Sequence, residues 1–170
     1  MDADAVAGDG SAGGRDAPGG ETLAEDVRRL LEGAVIRSVG RAASMGVVEL
    51  TGPHGEDLRV HIQCAFRFLR DRQILLGSRD MTYARDDAGP DAFDTFSTVY
   101  DARGALLTRV LAGARPQVEH VRVGDGGTLV LEASRGFRIE AFPDCSSPEE
   151  EAWQAFERGG PHYGYPSDVI

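Results

Sequence analysis

The stretch LRVHIQCAFRF (58–68) alternates without a break: Leu58, Val60, Ile62, Cys64, Phe66 and Phe68 are apolar, and Arg59, His61, Gln63, Ala65 and Arg67 stand between them. Successive side chains of an extended chain point to opposite faces, so this period of two predicts one strand with a buried face and a polar face. Half-solvated strands of this kind belong to antiparallel sheets. Gly52-Pro53-His54-Gly55 supplies turn chemistry on one side and Arg70-Asp71-Arg72 on the other. Val35–Gly40 and Met45–Thr51 read as strands before the first turn, and Gln73–Gly77 as a returning strand after the second.

Further along, Gln117–Val123, Thr128–Ala133 and Phe137–Phe142 read as a second meander, joined by Gly124-Asp125-Gly126-Gly127 and Ser134-Arg135-Gly136. Three segments carry helix signals. Thr22 and Glu25 have capping-box spacing ahead of Leu23, Val27, Leu30 and Leu31, with Gly33 placed to stop the helix. Thr98–Ala112 has an apolar stripe of Tyr100, Leu107, Val110 and Leu111. Ser147-Pro148-Glu149-Glu150 offers an N-cap, a proline at the first helical position and an early carboxylate, ahead of Trp153 and Phe156 as a buried edge and Gly159-Gly160 as a stop. Between the meanders, residues 78–97 form a polar excursion that Phe93 and Phe96 are expected to anchor to the core, and His162–Pro166 adds a last short strand. The class is therefore α+β: antiparallel sheet built from two meanders and covered by about three helices. The meanders share a pattern, VVELTGPHGEDLRVHIQ (47–63) against LVLEASRGFRIEAF (129–142), which marks out repeat halves 34–77 and 117–166. Either duplication or convergent use of the same residues accounts for the likeness.

The chain has 170 residues, 41% of them hydrophobic, and a formal charge of −10 from 18 basic and 28 acidic side chains. Residues 1–20, almost all Gly, Ala and Asp, are too polar to offset the entropy of ordering and read as a disordered acidic tail, leaving 21–170 as a single domain. Surplus negative charge argues against nucleic-acid binding, which needs surplus cation. No apolar run approaches the ~20 residues that span a bilayer, and no secretory signal is visible, so a cytoplasmic location is expected. Every basic residue is Arg, and Lys and Asn are absent. A codon composition rich in G and C removes both, so the arginines are not evidence of selected guanidinium chemistry.

The most informative polar group is the outer side of the 58–68 strand. Arg59, His61, Gln63 and Arg67 would project together, about 6.5–7 Å apart for each two-residue step, as a cationic stripe able to hold a carboxylate, a phosphate or an acidic segment. The competing reading has the arginines paired across neighbouring strands with Glu49 and Glu140. Arg79 and Asp80, in the loop after Gly77-Ser78, complete the candidate binding residues. Cys64 falls on the core side, three residues from His61 and hence on the opposite face. Cys145 lies in the turn ahead of a predicted helix start, a place that lowers a thiol's pKa, but it precedes the N-cap and has no base close in sequence, which favours an inert turn thiol. A catalytic reading would use His61 or Cys145 with a loop carboxylate such as Asp80 or Asp144. The four histidines, His54, His61, His120 and His162, do not cluster in sequence, and no metal or cofactor motif is present.

LEGAVIRSV (31–39), LRVHIQCAFRF (58–68), ILLGSRDM (74–81), LVLEASRGFRIEAFPDCS (129–146) and EAWQAF (151–156) resemble a group of actinobacterial α+β proteins with two meanders and a C-terminal Glu-Ala-Trp helix. The resemblance spans most of 31–166 and implies a fold, with no activity, ligand or catalytic residue to carry over. A looser similarity to bacterial immunity-type proteins implies a non-enzymatic accessory protein that holds a protein partner, which the net charge would steer if basic. An anion-binding domain using Arg59, His61 and Arg67 is the alternative, and a small enzyme the third.

Overall fold

The computed structural model describes residues 20–167. The tail expected over 1–20 lies outside them apart from Gly20, which opens helix α1 (Gly20–Leu31). Thr22 therefore sits within the first turn of the helix and does not stand ahead of it. Gly33, at φ +87°, turns the chain out of α1, and its N–H donates to the Val118 carbonyl at 2.9 Å.

Five strands follow: β1 (Val35–Ala42), β2 (Met45–Thr51), β3 (Asp57–Ile62), β4 (Ala65–Arg70) and β5 (Gln73–Gly77). After a short 3₁₀ turn and the excursion comes α2 (Val99–Ala114), then β6 (Val118–Val123), β7 (Leu129–Ala133), β8 (Phe137–Phe142), β9 (Trp153–Glu157) and β10 (His162–Tyr165). They form two antiparallel five-stranded sheets, ordered β1-β2-β3-β9-β10 and β5-β4-β8-β7-β6. Helix, three-stranded meander and hairpin thus occur twice in the same order. Each hairpin leaves its own meander and extends the other one: β4–β5 joins β8, and β9–β10 joins β3. The helices follow the same rule, α1 packing on β6, β9 and β10, and α2 on β1 and β5.

This exchange corrects two expectations. The strand expected over 58–68 is two strands in different sheets. At Gln63–Cys64 the ladder to β2 and β9 ends, both backbone N–H groups donate to the Ala152 carbonyl (2.8 and 3.1 Å), and the chain enters the second sheet. Leu58, Val60, Ile62, Phe66 and Phe68 are all buried in one shared core, so the alternation runs through the corner. Periodicity reports which face is apolar and is blind to a change of hydrogen-bond partner.

The helix expected after Ser147 is also absent, which leaves two α-helices among the described residues. Ser147 Oγ does accept the Glu149 N–H at 3.3 Å, a local cap on a turn that goes no further. Trp153–Glu157 is strand β9, held between β3 and β10. Trp153 and Ala155 point into the core, and the Trp153 indole N–H donates at 2.7 Å to the carbonyl of Gly127, in the turn that joins β6 and β7 of the opposite sheet. Tertiary pairing overrides the local helix signal, as strand preference depends on its neighbours.

Helix α2 begins with a capping box: Thr98 Oγ1 accepts the Asp101 N–H, and the Asp101 carboxylate accepts from the Thr98 N–H. Thr108 bonds both backbone groups of Val39, and the Tyr100 hydroxyl donates to the Gly40 carbonyl, fixing α2 on β1. No helix among the described residues is long and apolar enough to cross a membrane.

Candidate functional site

The corner at 63–64 divides the expected stripe. Arg59 and His61 stand on the outer face of the first sheet and Arg67 on the second. Arg59 lies opposite Glu49 in the β2–β3 register and pairs with it, Nη2 to Oε1 at 3.5 Å, and with Asp57 at 3.7 Å. Arg67 lies opposite Glu140 and binds its Oε2 through Nε, while Arg138 takes Oε1 at 2.7 Å. Glu140 is 5% exposed, a carboxylate shared by two guanidinium groups. Gln63 donates to Glu151 Oε1 at 3.1 Å. The structure thus shows the arginines in the cross-strand pairs with Glu49 and Glu140 and does not bring Arg59, His61 and Arg67 to one place.

His61 has aromatic company. Its ring meets the edge of Phe156 at 4.9 Å between centroids, and His162 stacks on the other side of Phe156 at 4.1 Å. Gln154 Oε1 holds His162 Nδ1 at 2.6 Å. Burial, then Arg59, then His162 push the His61 pKa below the ordinary imidazole value. Phe156, expected on a helix, is buried on the outer sheet face by these two imidazoles.

Asp80 caps the 3₁₀ turn Ser78–Thr82, accepting the Gly77 N–H at 3.0 Å, so its carboxylate is occupied with chain geometry. Arg79 is exposed on that turn. Neither meets His61 or Cys145. Cys145 lines a cavity of about 360 Å³ with Cys64, Asp144, Glu151 and Tyr165, and His61 is not part of its wall. Burial pushes the Cys64 thiol up to about 11, so it stays protonated near neutrality. Among the described residues no three His, Cys, Asp or Glu side chains converge as a metal-binding group.

Two features escaped the sequence reading. The first is Arg41, whose guanidinium lies over the rings of Phe93 (4.5 Å) and Phe96 (4.2 Å) while pairing with Asp101. Phe93 and Phe96 do not enter the core as expected: they are 39% and 55% exposed and hold the excursion by sandwiching Arg41. The second is the outward face of α2. Leu106 and Val110 are 55% and 37% exposed, beside exposed Ala102, Ala105 and Gly113. Arg103 and Arg109 are exposed on this helix and form no ion pair among the described residues. Helix α1 has a charged surface by contrast, with Arg29 bonded to Asp26 and Arg28 near Glu32. Between Gly104 and Ala114 Thr108 and Arg109 alone are polar, which was the available signal: apolar side chains that extend beyond one stripe of a helix need a second neighbour.

Comparison with protein-family models, with curated protein sequences and with solved structures finds no match for this chain.

Proposed function

We propose that this chain is a non-enzymatic binding protein that holds a protein partner through the outward face of α2. The observation that carries the reading is the exposure of Leu106 and Val110 on a helix whose opposite face packs on β1, β5 and the turn Ser78–Thr82. Adjacent exposed apolar side chains, rimmed by polar ones, mark docking sites more often than isolated ones do. Alanine and glycine around them leave room for close backbone approach. The charges on this face are Arg103 and Arg109, which have no ion partner among the described residues and fit an amphipathic partner segment bearing apolar side chains and carboxylates. The net charge of −10 opposes an acidic segment at longer range, so recognition rests on the apolar contacts and the two local cations at the face itself. An immunity-type role, in which a partner's surface is covered, is compatible with such a face.

Site-specific photocrosslinking in the host cell tests this. A benzoylphenylalanine at position 106 is expected to give one dominant adduct, with the linked partner peptide both apolar and acidic. Arg109→Glu should abolish it. A probe at Glu25 on α1 serves as reference, and no adduct from position 106 beyond that background would overturn the proposal.

A further inference from the structure

The two cysteines lie on the two crossovers by which the hairpins are exchanged. Cys64 follows β3 at the first crossover, and Cys145 follows β8 in the second, residues 143–152. These crossovers touch. Gln63 and Cys64 donate backbone N–H groups to Ala152, and the Gln63 side chain donates to Glu151. Ala65 is paired with Phe142, so the antiparallel register runs Cys64 toward the residues just after Phe142. Burial first, and then the carboxylate of Asp144, the neighbour of Cys145, push the Cys64 thiol upward. Both thiols line the same cavity.

We propose that Cys64 and Cys145 are an oxidisable pair that a peroxide converts into a disulfide joining the two crossovers. Cys145 is exposed and its segment is held by local contacts, such as Ser147 N–H to its sulfur at 3.5 Å, so it is the thiol that oxidant reaches and the side that moves. Its thiolate attacks one peroxide oxygen, the O–O bond breaks to leave a sulfenic acid and hydroxide, and the proton that the thiol released converts the hydroxide to water. The Cys64 sulfur then attacks the Cys145 sulfur, the S–O bond breaks, and a second water leaves as the S–S bond forms. Two thiols and one hydrogen peroxide thus yield one disulfide and two waters. Half-buried Cys64, protonated near neutrality, is kept from meeting the oxidant first, and it attacks as thiolate once its proton passes to the departing hydroxide. Asp144, Glu150 and Glu151 on the cavity wall disfavour anionic thiol reagents and leave a small neutral peroxide as the fitting oxidant.

The experiment treats the full chain with hydrogen peroxide and maps unreduced peptides by mass spectrometry. The expected result is an intramolecular Cys64–Cys145 linkage with the loss of two hydrogens from the intact mass, reversed by dithiothreitol. In Cys64→Ser, dimedone should trap a sulfenic acid at Cys145. In Cys145→Ser, Cys64 should remain a thiol under the same exposure, a readout that stands even if the first variant folds poorly. Wild-type chain that ends with Cys145 over-oxidised or bridged to a second copy, while Cys64 stays free, would overturn the proposal, as would equal oxidation of Cys64 in Cys145→Ser.

Discussion

Arg41 and Asp101 meet through two parallel hydrogen bonds, Nε to Oδ1 at 2.7 Å and Nη2 to Oδ2 at 2.9 Å, with the Arg41 side chain only 1% exposed. The same guanidinium donates to the carbonyls of Ala43 and Phe93. One side chain therefore ties the β1–β2 turn, the 84–97 excursion and the first turn of α2. Burial alone would raise the Asp101 pKa, but hydrogen bonds from Arg41 and Thr98 outweigh it and hold the carboxyl below its ordinary range.

Removing one partner of a buried pair leaves an uncompensated charge and typically costs about 3–5 kcal/mol. Arg41→Ala is expected toward the lower end, because Asp101 keeps its bonds to Thr98. Urea denaturation should show the loss, and limited proteolysis should cut the excursion near Phe93 and Phe96 faster than in the wild type. Arg41→Lys should recover little, since a single ammonium reproduces neither the two-bond geometry nor the stacking. Equal stability of Arg41→Lys and wild type would contradict this account.

The exposed pair Arg59–Glu49 provides the contrast. Both side chains are about one-third exposed, and such pairs are worth about 0.2–1 kcal/mol. Arg59→Ala should therefore change the urea midpoint far less than Arg41→Ala. The double-mutant cycle with Glu49→Ala should give a coupling energy in that range, shrinking as salt is raised. A coupling above about 2 kcal/mol would mean that the outer face of the first sheet is less solvated than its exposure indicates.

How much of this architecture can be read from residues alone follows from what each signal measures. Alternation at 58–68 correctly marks the inward side chains, because inward and outward are properties of single residues. It does not reveal the corner at Gln63–Cys64, because the identity of the pairing strand is set by chain segments some 80 residues away. Ser147-Pro148 correctly marks a capped turn, yet the helix is lost because Trp153 finds a better burial across the core at Gly127. Arg59 and Arg67 were legible as partners of Glu49 and Glu140 once strands were placed. Arg41 was not, since Phe93, Phe96 and Asp101 reach it only through the fold.

Trp153 of β9 and Gly127 in the turn between β6 and β7 tie one sheet to the other, and the geometry leaves little freedom on either side. Gly127 has φ +75°, and a Cβ added there would run into the Tyr165 ring. Gly127→Ala therefore combines backbone strain with a clash in the core, and a loss of about 1–3 kcal/mol is expected from the strain alone. Trp153→Phe leaves the Gly127 carbonyl without its donor and opens space, so it should cost about 2–4 kcal/mol. Trp153 is the sole tryptophan and fully buried. Its fluorescence should be blue-shifted in the folded chain and should report the Gly127→Ala loss directly as an earlier red shift in urea.

His61 makes the chain's stability depend on pH, with a sign fixed by the direction of its shift. Its folded pKa lies below the ordinary value of 6.5, chiefly through burial against Phe156, with Arg59 on its own strand and His162 on β10 adding repulsion. The unfolded chain therefore binds the proton first as pH falls. Stability from this group is fully present above about 6.5 and declines as pH drops from there toward the folded pKa. Carboxylates contribute their own losses at lower pH, so the discriminating quantity is the difference between wild type and His61→Gln. Unfolding free energies measured in urea between about pH 7.5 and pH 5 should fall more steeply in the wild type than in the variant, whatever packing the substitution costs at neutral pH. Identical slopes would show that the imidazole takes up its proton as readily in the folded chain as in water, and the closed contact of His61, Phe156 and His162 would have to be open in solution.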